Sequence, residues 1–299
     1  MKKGQIVLGA LAPHPPHLVY AENPAQNEPK AECGWETLRW GYEALRKELE
    51  KTDYDVIIVH SPHWRTRVGH HFLALPEFKS LSVDPIFPNL FRFHYDLKCD
   101  VELAETLSLR ASEKGLETKL MKNPDFRVDY GTIISCHLAN PLWNKPIVLI
   151  SSNSSFLDYS NDYGQEQMLK LGEATRSAVE ELGRKALVLA SCSLSHRHFT
   201  TESPIPEDMS REHISNYGNY LWDMRLIQLM KEGKTRELFE LIPDFTEQTV
   251  SEFDSGSMSW LIGALDFPDY PAKVHAYGTV IGTGNAVVSW SESDMGARK

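Results

Sequence analysis

The sequence predicts an α/β fold, with a central, mostly parallel-mixed sheet flanked by helices on both faces. Three observations predict it. Four short runs rich in Val, Ile and Leu (5–12, 55–60, 146–151 and 186–191) lack polar alternation, as expected of strands covered on both faces. Amphipathic segments of helical period lie between them. Strand and helix therefore alternate, which is the pattern of helices layered on a sheet.

Taken in order, the first run, QIVLGALA, ends in PHPPH. Residues 35–51 then place Leu38, Tyr42, Leu45 and Leu49 at helical spacing. The second run, DVIIVH, is followed by SPHW. Residues 72–93 carry five aromatic residues and three prolines, which predicts an ordered excursion over the sheet, a lid or contact surface. Helices are expected at 101–114 and 165–183, the latter closing on Gly183. From Met209 the character changes to a run of helices, 209–232, 235–241 and 257–265. KVHAYGTVIGTGNAVVSW then reads as two strands punctuated by glycine. Its GTGNA is a tight turn and not a dinucleotide loop, because no βαβ unit opens there and the third glycine is missing. With no repeats and no long linker, the expectation is one domain over residues 1–299.

Composition narrows the function. The formal net charge of −10, with no strong basic run, argues against nucleic acid or an anionic membrane as partner. The four cysteines are far apart and form no CxxC pair, which reads as a reduced, intracellular chain. The apolar stretch near the N-terminus is broken by Pro13 and too short for a signal segment, and no run reaches the roughly 18 residues of a membrane span. A soluble, cytoplasmic protein is expected.

Sites in open α/β sheets form beyond the carboxyl ends of the strands. Three of the four predicted strands run into histidine there: His14 and His17, His60 and His63, His196 and His198. One histidine after a strand is ordinarily structural; three strands delivering histidine to one edge point to a metal or acid/base site. Imidazole with a carboxylate suits zinc or ferrous iron. Both HxxH phrases contain proline and lack the glutamate of HExxH, which argues against a zinc protease. The prolines fix the turn leaving the strand and so can brace a ligand. A facial triad needs one carboxylate more, and DFTEQTVSEFDSG offers Glu247 and Glu252, between which spacing does not choose.

Six phrases, APHPPHLVY, HSPHW, FRVDYGTI, LSHRHF, VSEFDSG and YGTVIGTGNAV, occur in order between about Gln5 and Trp290. Together they resemble the class III (LigB-type) extradiol ring-cleavage dioxygenases. That resemblance implies a LigB-like fold, Fe(II) as cofactor, and an aromatic small molecule and O2 as substrates. It places the metal ligands on His14, His63 and Glu252, the acid/base histidine on His196 and an active-site tyrosine on Tyr130. His17, His60 and His198 become expected substrate-lining residues. The branch it is most similar to opens 2-aminophenol-type rings and pairs a catalytic chain with a related α chain that lacks the iron site; intact ligands imply the catalytic role here. The same ligands would serve a catechol, and a non-catalytic binding protein on this fold is the contrasting expectation.

Overall fold

The computed structural model describes residues 3–20, 34–86, 88–89, 91–154, 164–198 and 214–291. Among the described residues there are ten strands: β1 (Gln5–Leu11), β2 (Val56–Thr66), β3 (His70–Leu73), β4 (Glu77–Val83), β5 (Arg92–Lys98), β6 (Thr118–Met121), β7 (Ile147–Asn153), β8 (Lys185–Ala190), β9 (Lys273–Val280) and β10 (Thr283–Ser291). Eight of them form one sheet in the order β6-β3-β7-β2-β8-β1-β10-β9, and β4 and β5 make a separate antiparallel ribbon.

The four apolar runs of the sequence are β1, β2, β7 and β8, and they are the contiguous parallel centre of the sheet. β8 lies between β2 and β1, so the carboxyl ends of the three histidine-bearing strands are neighbours. The sheet is mixed because β10 runs antiparallel to β1, and β3 pairs antiparallel with β7.

Period-2 alternation along each central strand feeds two cores. Ile57, Val59, Leu187 and Leu189 pack with Leu38, Tyr42 and Leu45 of α1 (Gly34–Leu49) and Ile133 and Ile134 of α3 (Tyr130–Ala139). Val56, Ile58, Val188 and Ile150 pack on the other side with α2 (Val101–Glu113), α4 (Gln165–Glu181), α5 (Tyr217–Glu232), α6 (Thr235–Thr249) and α7 (Ser257–Ala264). Helices therefore cover both faces, as the alternation predicts.

Four boundaries differ from the sequence reading. β2 does not stop at His60 but continues through Pro62 and His63 to Thr66, with its pairing to β7 shifting between Ser61 and Arg65. That shift is a bulge, a place where a strand accommodates proline and re-aims a side chain. α5 begins at Tyr217, capped by Asn216, whose side chain accepts from the Asn219 amide; residues 209–213 lie outside the described residues. α6 runs past the expected stop at Leu241 and contains Pro243. Pro243 has no N–H for the carbonyl of Phe239, and Gln165 Nε2 donates to that carbonyl instead at 2.8 Å. The aromatic excursion at 72–93 starts in β3 and is otherwise the β4–β5 ribbon with its connection. Of the GTGNA segment, Gly282 lies in a strand-to-strand turn and residues 283–286 open β10; Ile281 and Gly282 are both at positive φ, the two-residue hairpin geometry that matches strand twist.

Candidate metal centre

β1 ends where its sequence turns to proline. Ala12 donates to Ala190 O at 2.9 Å, and the prolines at 13, 15 and 16 then offer no N–H with which to extend the ladder. The chain turns into a 3-10 segment, Pro16–Val19, and the Tyr42 hydroxyl donates to the Pro13 carbonyl. His14 is thereby held inside, 7% exposed. Its Nδ1 meets Ser191 Oγ at 3.1 Å. The Ser191 hydroxyl itself donates to Gly131 O at 3.0 Å, so His14 Nδ1 is the donor and Nε2 keeps its lone pair.

His63 sits in the β2 bulge. Its amide donates to Ser61 Oγ at 3.2 Å, and Ser61 in turn donates to Asp129 Oδ1 at 2.6 Å. Arg65, at the end of the bulge, forks onto both carboxylate oxygens of Asp254 at 3.0 and 3.1 Å. Asp254 belongs to the 3-10 segment Glu252–Ser255, so this pair ties the His63 strand to the Glu252 turn. Glu252 follows the left-handed Val250 that ends α6. Its Oε2 accepts from the Ser193 amide at 2.8 Å and the Ser193 hydroxyl at 3.0 Å, leaving Oε1 free.

The three free donor atoms converge. His14 Nε2 and His63 Nε2 are 2.8 Å apart, and Glu252 Oε1 is 3.6 Å from the first and 3.3 Å from the second. Adjacent ligands about 2.1 Å from one ion lie about 3 Å apart, so these spacings fit a cation bound on one face. The charge fits as well. Glu252 is 6% exposed, and among the described residues its ion-pair partners are only the imidazoles of His14, His63 and His196. Burial alone would push its carboxyl up, but the facing imidazoles outweigh it and hold the group well below the usual carboxylate range. An ionised, buried carboxylate facing two imidazole nitrogens, with no lysine or arginine partner among the described residues, suits a bound cation. Glu247, the other candidate, is exposed on α6.

His196 enters from the loop after β8. Its amide donates to Thr249 O at 3.2 Å, its Nδ1 lies 2.7 Å from Ser193 Oγ, and its Nε2 lies 3.6 Å from Glu252 Oε1. Because the Ser193 proton goes to Glu252, His196 Nδ1 is the donor and Nε2 the lone-pair atom facing the centre. Burial pulls its pKa down to about 4, so the ring is neutral at pH 7. Tyr130 opens α3 behind the Asp129 cap, its ring 4.3 Å from that of His63 and 5.6 Å from that of His14. Burial, reinforced by Glu252, raises its phenol, which stays protonated and can donate.

All five residues line one cavity of about 110 Å³. An apolar cavity of roughly 150 Å³ holds a benzene ring, so the scale suits a single aromatic ring. His17 and His198 also line it; His198 is exposed, with its ring 4.7 Å from that of His196. His60 does not line it. Its side chain is fully buried, bonded through Nδ1 to Ser257 Oγ at 2.7 Å and stacked on Trp260, because its place in β2 shares the parity of Val56 and Ile58. The substrate-lining expectation for His60 is therefore corrected to a core position. Sequence reasoning missed Asp84, Ile86, Ile281 and Asn285, which complete the wall. The only signals were the aromatic 72–93 stretch for the first two and the glycine-marked hairpin for the others.

A mixed sheet with helices on both faces thus brings two imidazole nitrogens and one carboxylate oxygen together at its carboxyl edge, a donor set that suits a divalent metal such as ferrous iron. The chain belongs to the LigB family: the family described as the catalytic LigB subunit of aromatic ring-opening dioxygenase matches residues 8–288. It is 51% identical to a Pseudomonas 2-aminophenol 1,6-dioxygenase beta subunit, over 97% of this chain and 95% of that one. The Pseudomonas 2-aminophenol 1,6-dioxygenase alpha subunit is 26% identical over 86% of this chain and 91% of its own length. The 3,4-dihydroxyphenylacetate 2,3-dioxygenase of Escherichia coli is 24% identical over 91% of this chain and 94% of its own. The same fold is found in the crystal structure of an uncharacterized Escherichia coli K12 protein, with a TM-score of 0.59 at 17% identity, covering 95% of this chain and 99% of that one. No helix among the described residues is long and apolar enough to cross a membrane.

Proposed function

We propose that this chain, as one catalytic domain, is an Fe(II)-dependent extradiol dioxygenase that opens 2-aminophenol, or a substituted 2-aminophenol, by adding both atoms of O2 to give a 2-aminomuconic semialdehyde. The observation that carries the reading is the buried Glu252 carboxylate with His14 Nε2 and His63 Nε2 beside it and no lysine or arginine to neutralise it among the described residues. His14, His63 and Glu252 would hold the ion. Iron so held would supply open positions at which the ring heteroatoms and dioxygen meet.

The chain's own residues do the rest. His196, neutral and with Nε2 facing the centre, takes the ring hydroxyl proton and returns it later, help that is typically worth about 10²–10⁴ in rate. Tyr130 donates a hydrogen bond into the cavity beside His63. Pro15, Pro16, Ile86 and Ile281 form an apolar wall that holds the ring flat and limits water. His17 and His198 line the rim.

The substrate rests on the 51% identity to the 2-aminophenol 1,6-dioxygenase beta subunit. The paired names of the beta and alpha relatives, both similar to this chain along most of their lengths, support an α-type partner chain in a heteromer. A cytoplasmic location accords with the acidic, cysteine-poor composition. A catechol is the second reading, supported by the similarity to the 3,4-dihydroxyphenylacetate enzyme. The test is to load the purified chain anaerobically with Fe(II), admit oxygen, and follow ring opening of 2-aminophenol beside catechol. Oxygen uptake with loss of 2-aminophenol is expected. Preference for catechol would move the substrate, and a chain that binds no iron would overturn the enzyme reading in favour of a binding protein.

A further inference from the structure

Asp223, in α5, is a carboxylate with no solvent exposure, and it does not line the cavity. No cation pairs with it among the described residues. Its partners are uncharged: the Ser195 amide donates to Oδ1 at 3.0 Å, the Ser195 hydroxyl to Oδ2 at 2.8 Å, and the Tyr277 hydroxyl to Oδ2 at 2.8 Å. Taking a carboxylate out of water without a cation costs several kcal/mol, so a site that retains one is using its geometry.

That geometry is unusual in where it acts. Two of the three bonds fall on one residue, from both its backbone and its side chain, and that residue immediately precedes His196. Ser195 is clamped from the other side too: Gly284 donates to Ser195 O at 2.8 Å, and Leu194 donates to Gly284 O at 2.8 Å. Gly284 has no room for a side chain, since a Cβ there would lie 1.8 Å from Asp223 Oδ2. Helix α5, strand β10 and the loop after β8 thus interlock around one carboxylate. Beyond this clamp, His196 has its amide on Thr249 O and its Nδ1 on Ser193 Oγ.

We infer that Asp223 is a positioning residue for His196, fixing through Ser195 the backbone that aims the imidazole at the metal centre. The inference rests on the proton-transfer role proposed above for His196. Asp223 touches neither the cavity nor the three candidate ligands, and its two bonds to Ser195 are its link to the neighbouring histidine.

The test is a double-mutant cycle in the iron-loaded, full-length chain, with Asp223→Asn, His196→Ala and both together, reading kcat, KM and bound iron. Asparagine keeps the size but puts an amide N–H where one carboxylate oxygen accepted. Asp223→Asn is expected to lower kcat about ten- to a hundred-fold, since a small misplacement of a catalytic group costs up to about 10²-fold. KM and iron content stay within about threefold. In the His196→Ala background the same change should cost less than about twofold, because the group it positions is gone. An equal loss in both backgrounds, a parallel loss of iron, or an unchanged kcat would overturn the inference. Should Asp223→Asn not fold, Tyr277→Phe removes one donor and keeps the carboxylate. A several-fold kcat loss that vanishes without His196 supports the inference, and one that persists overturns it. The two readings separate cleanly: a wild-type chain inactive on 2-aminophenol and catechol removes the functional proposal and this inference with it, whereas active wild type with an additive cycle removes only the inference.

Discussion

The Ser193 residue grips one oxygen of Glu252 twice, its amide at 2.8 Å and its hydroxyl at 3.0 Å, both on Oε2. This leaves Oε1 as the one corner presented to His14 and His63. The same hydroxyl lies 2.7 Å from His196 Nδ1, so a single side chain orients both a candidate ligand and the candidate base. Outer partners of ligating groups typically contribute 10- to 100-fold to metal affinity or activity. Ser193→Ala, which keeps the amide bond and removes the hydroxyl, is expected to weaken iron binding about tenfold and to lower turnover further. Titration of the apo chain with Fe(II), alongside kcat at saturating metal, separates the two. Unchanged values for both would show the hydroxyl to be incidental.

Ligand and base variants should divide sharply. His14→Ala or Glu252→Ala removes a donor atom from the centre and is expected to abolish iron retention through gel filtration. His196→Ala leaves the three donor atoms in place and should retain iron at the wild-type ratio while losing about 10²–10⁴ in turnover. Metal analysis of each purified variant checks the assignment. Iron lost equally from His196→Ala would make it a ligand, and near-normal turnover without it would remove it as the base.

The sequence made some of this site readable and hid the rest, for physical reasons. β1, β2, β7 and β8 were legible because strands buried on both faces need uninterrupted apolar runs. His14, His63 and His196 were visible because adjacent strands carry them to one edge. Spacing alone did not separate Glu247 from Glu252; that choice came from the resemblance, and in the fold Glu252 is buried while Glu247 is exposed. The continuation of β2 through Pro62 was hidden because a bulge is set by cross-strand register, not by local pattern. The misplacing of His60 follows from that: with β2 unbroken, alternation turns His60 toward Trp260 and away from the cavity. The run of α6 past Pro243 depends on Gln165, distant in sequence, satisfying Phe239 O. Asp84 and Ile86 reach the wall from the ribbon connection, where no periodicity marks a residue as facing a cavity.

Gly131, at the first turn of α3, supplies a steric test of the centre. A Cβ there would lie 2.7 Å from His63 Cδ2, 3.1 Å from Ser61 Oγ and 3.2 Å from Asp129 Oδ1. Alanine is better than glycine in a helix by about 1 kcal/mol, so propensity alone would make Gly131→Ala stabilising. The contact with His63 opposes that and displaces the imidazole. The expected result is an iron affinity reduced about tenfold or more with a melting temperature within a few degrees of wild type. Calorimetric titration and a thermal melt check it, and wild-type iron affinity would mean that His63 yields without leaving its ligand position.

Away from the centre, Glu48 on α1 ties that helix to the sheet edge. It accepts from Lys273 Nζ at 2.8 Å and Ser289 Oγ at 2.7 Å, and His275 Nε2 stands 3.2 Å away. Burial pushes its carboxyl up, but the bonds from His275, Lys273 and Ser289 together outweigh this and bring it from 4.5 to about 2. A carboxyl depressed in the folded state favours folding fully above its unfolded pKa, and the benefit is lost as pH falls through the folded one. A shift of this size corresponds to at most about 3.4 kcal/mol, which solvent screening at the half-exposed Lys273 lowers to about 2–3 kcal/mol. Glu48→Gln should therefore be destabilised by about that amount at pH 7, with the gap to wild type narrowing below about pH 4.5 and closing near pH 2. Urea unfolding of both chains across that range measures it. A gap that stayed constant with pH would assign the effect to packing and hydrogen-bond count, not to the carboxylate charge.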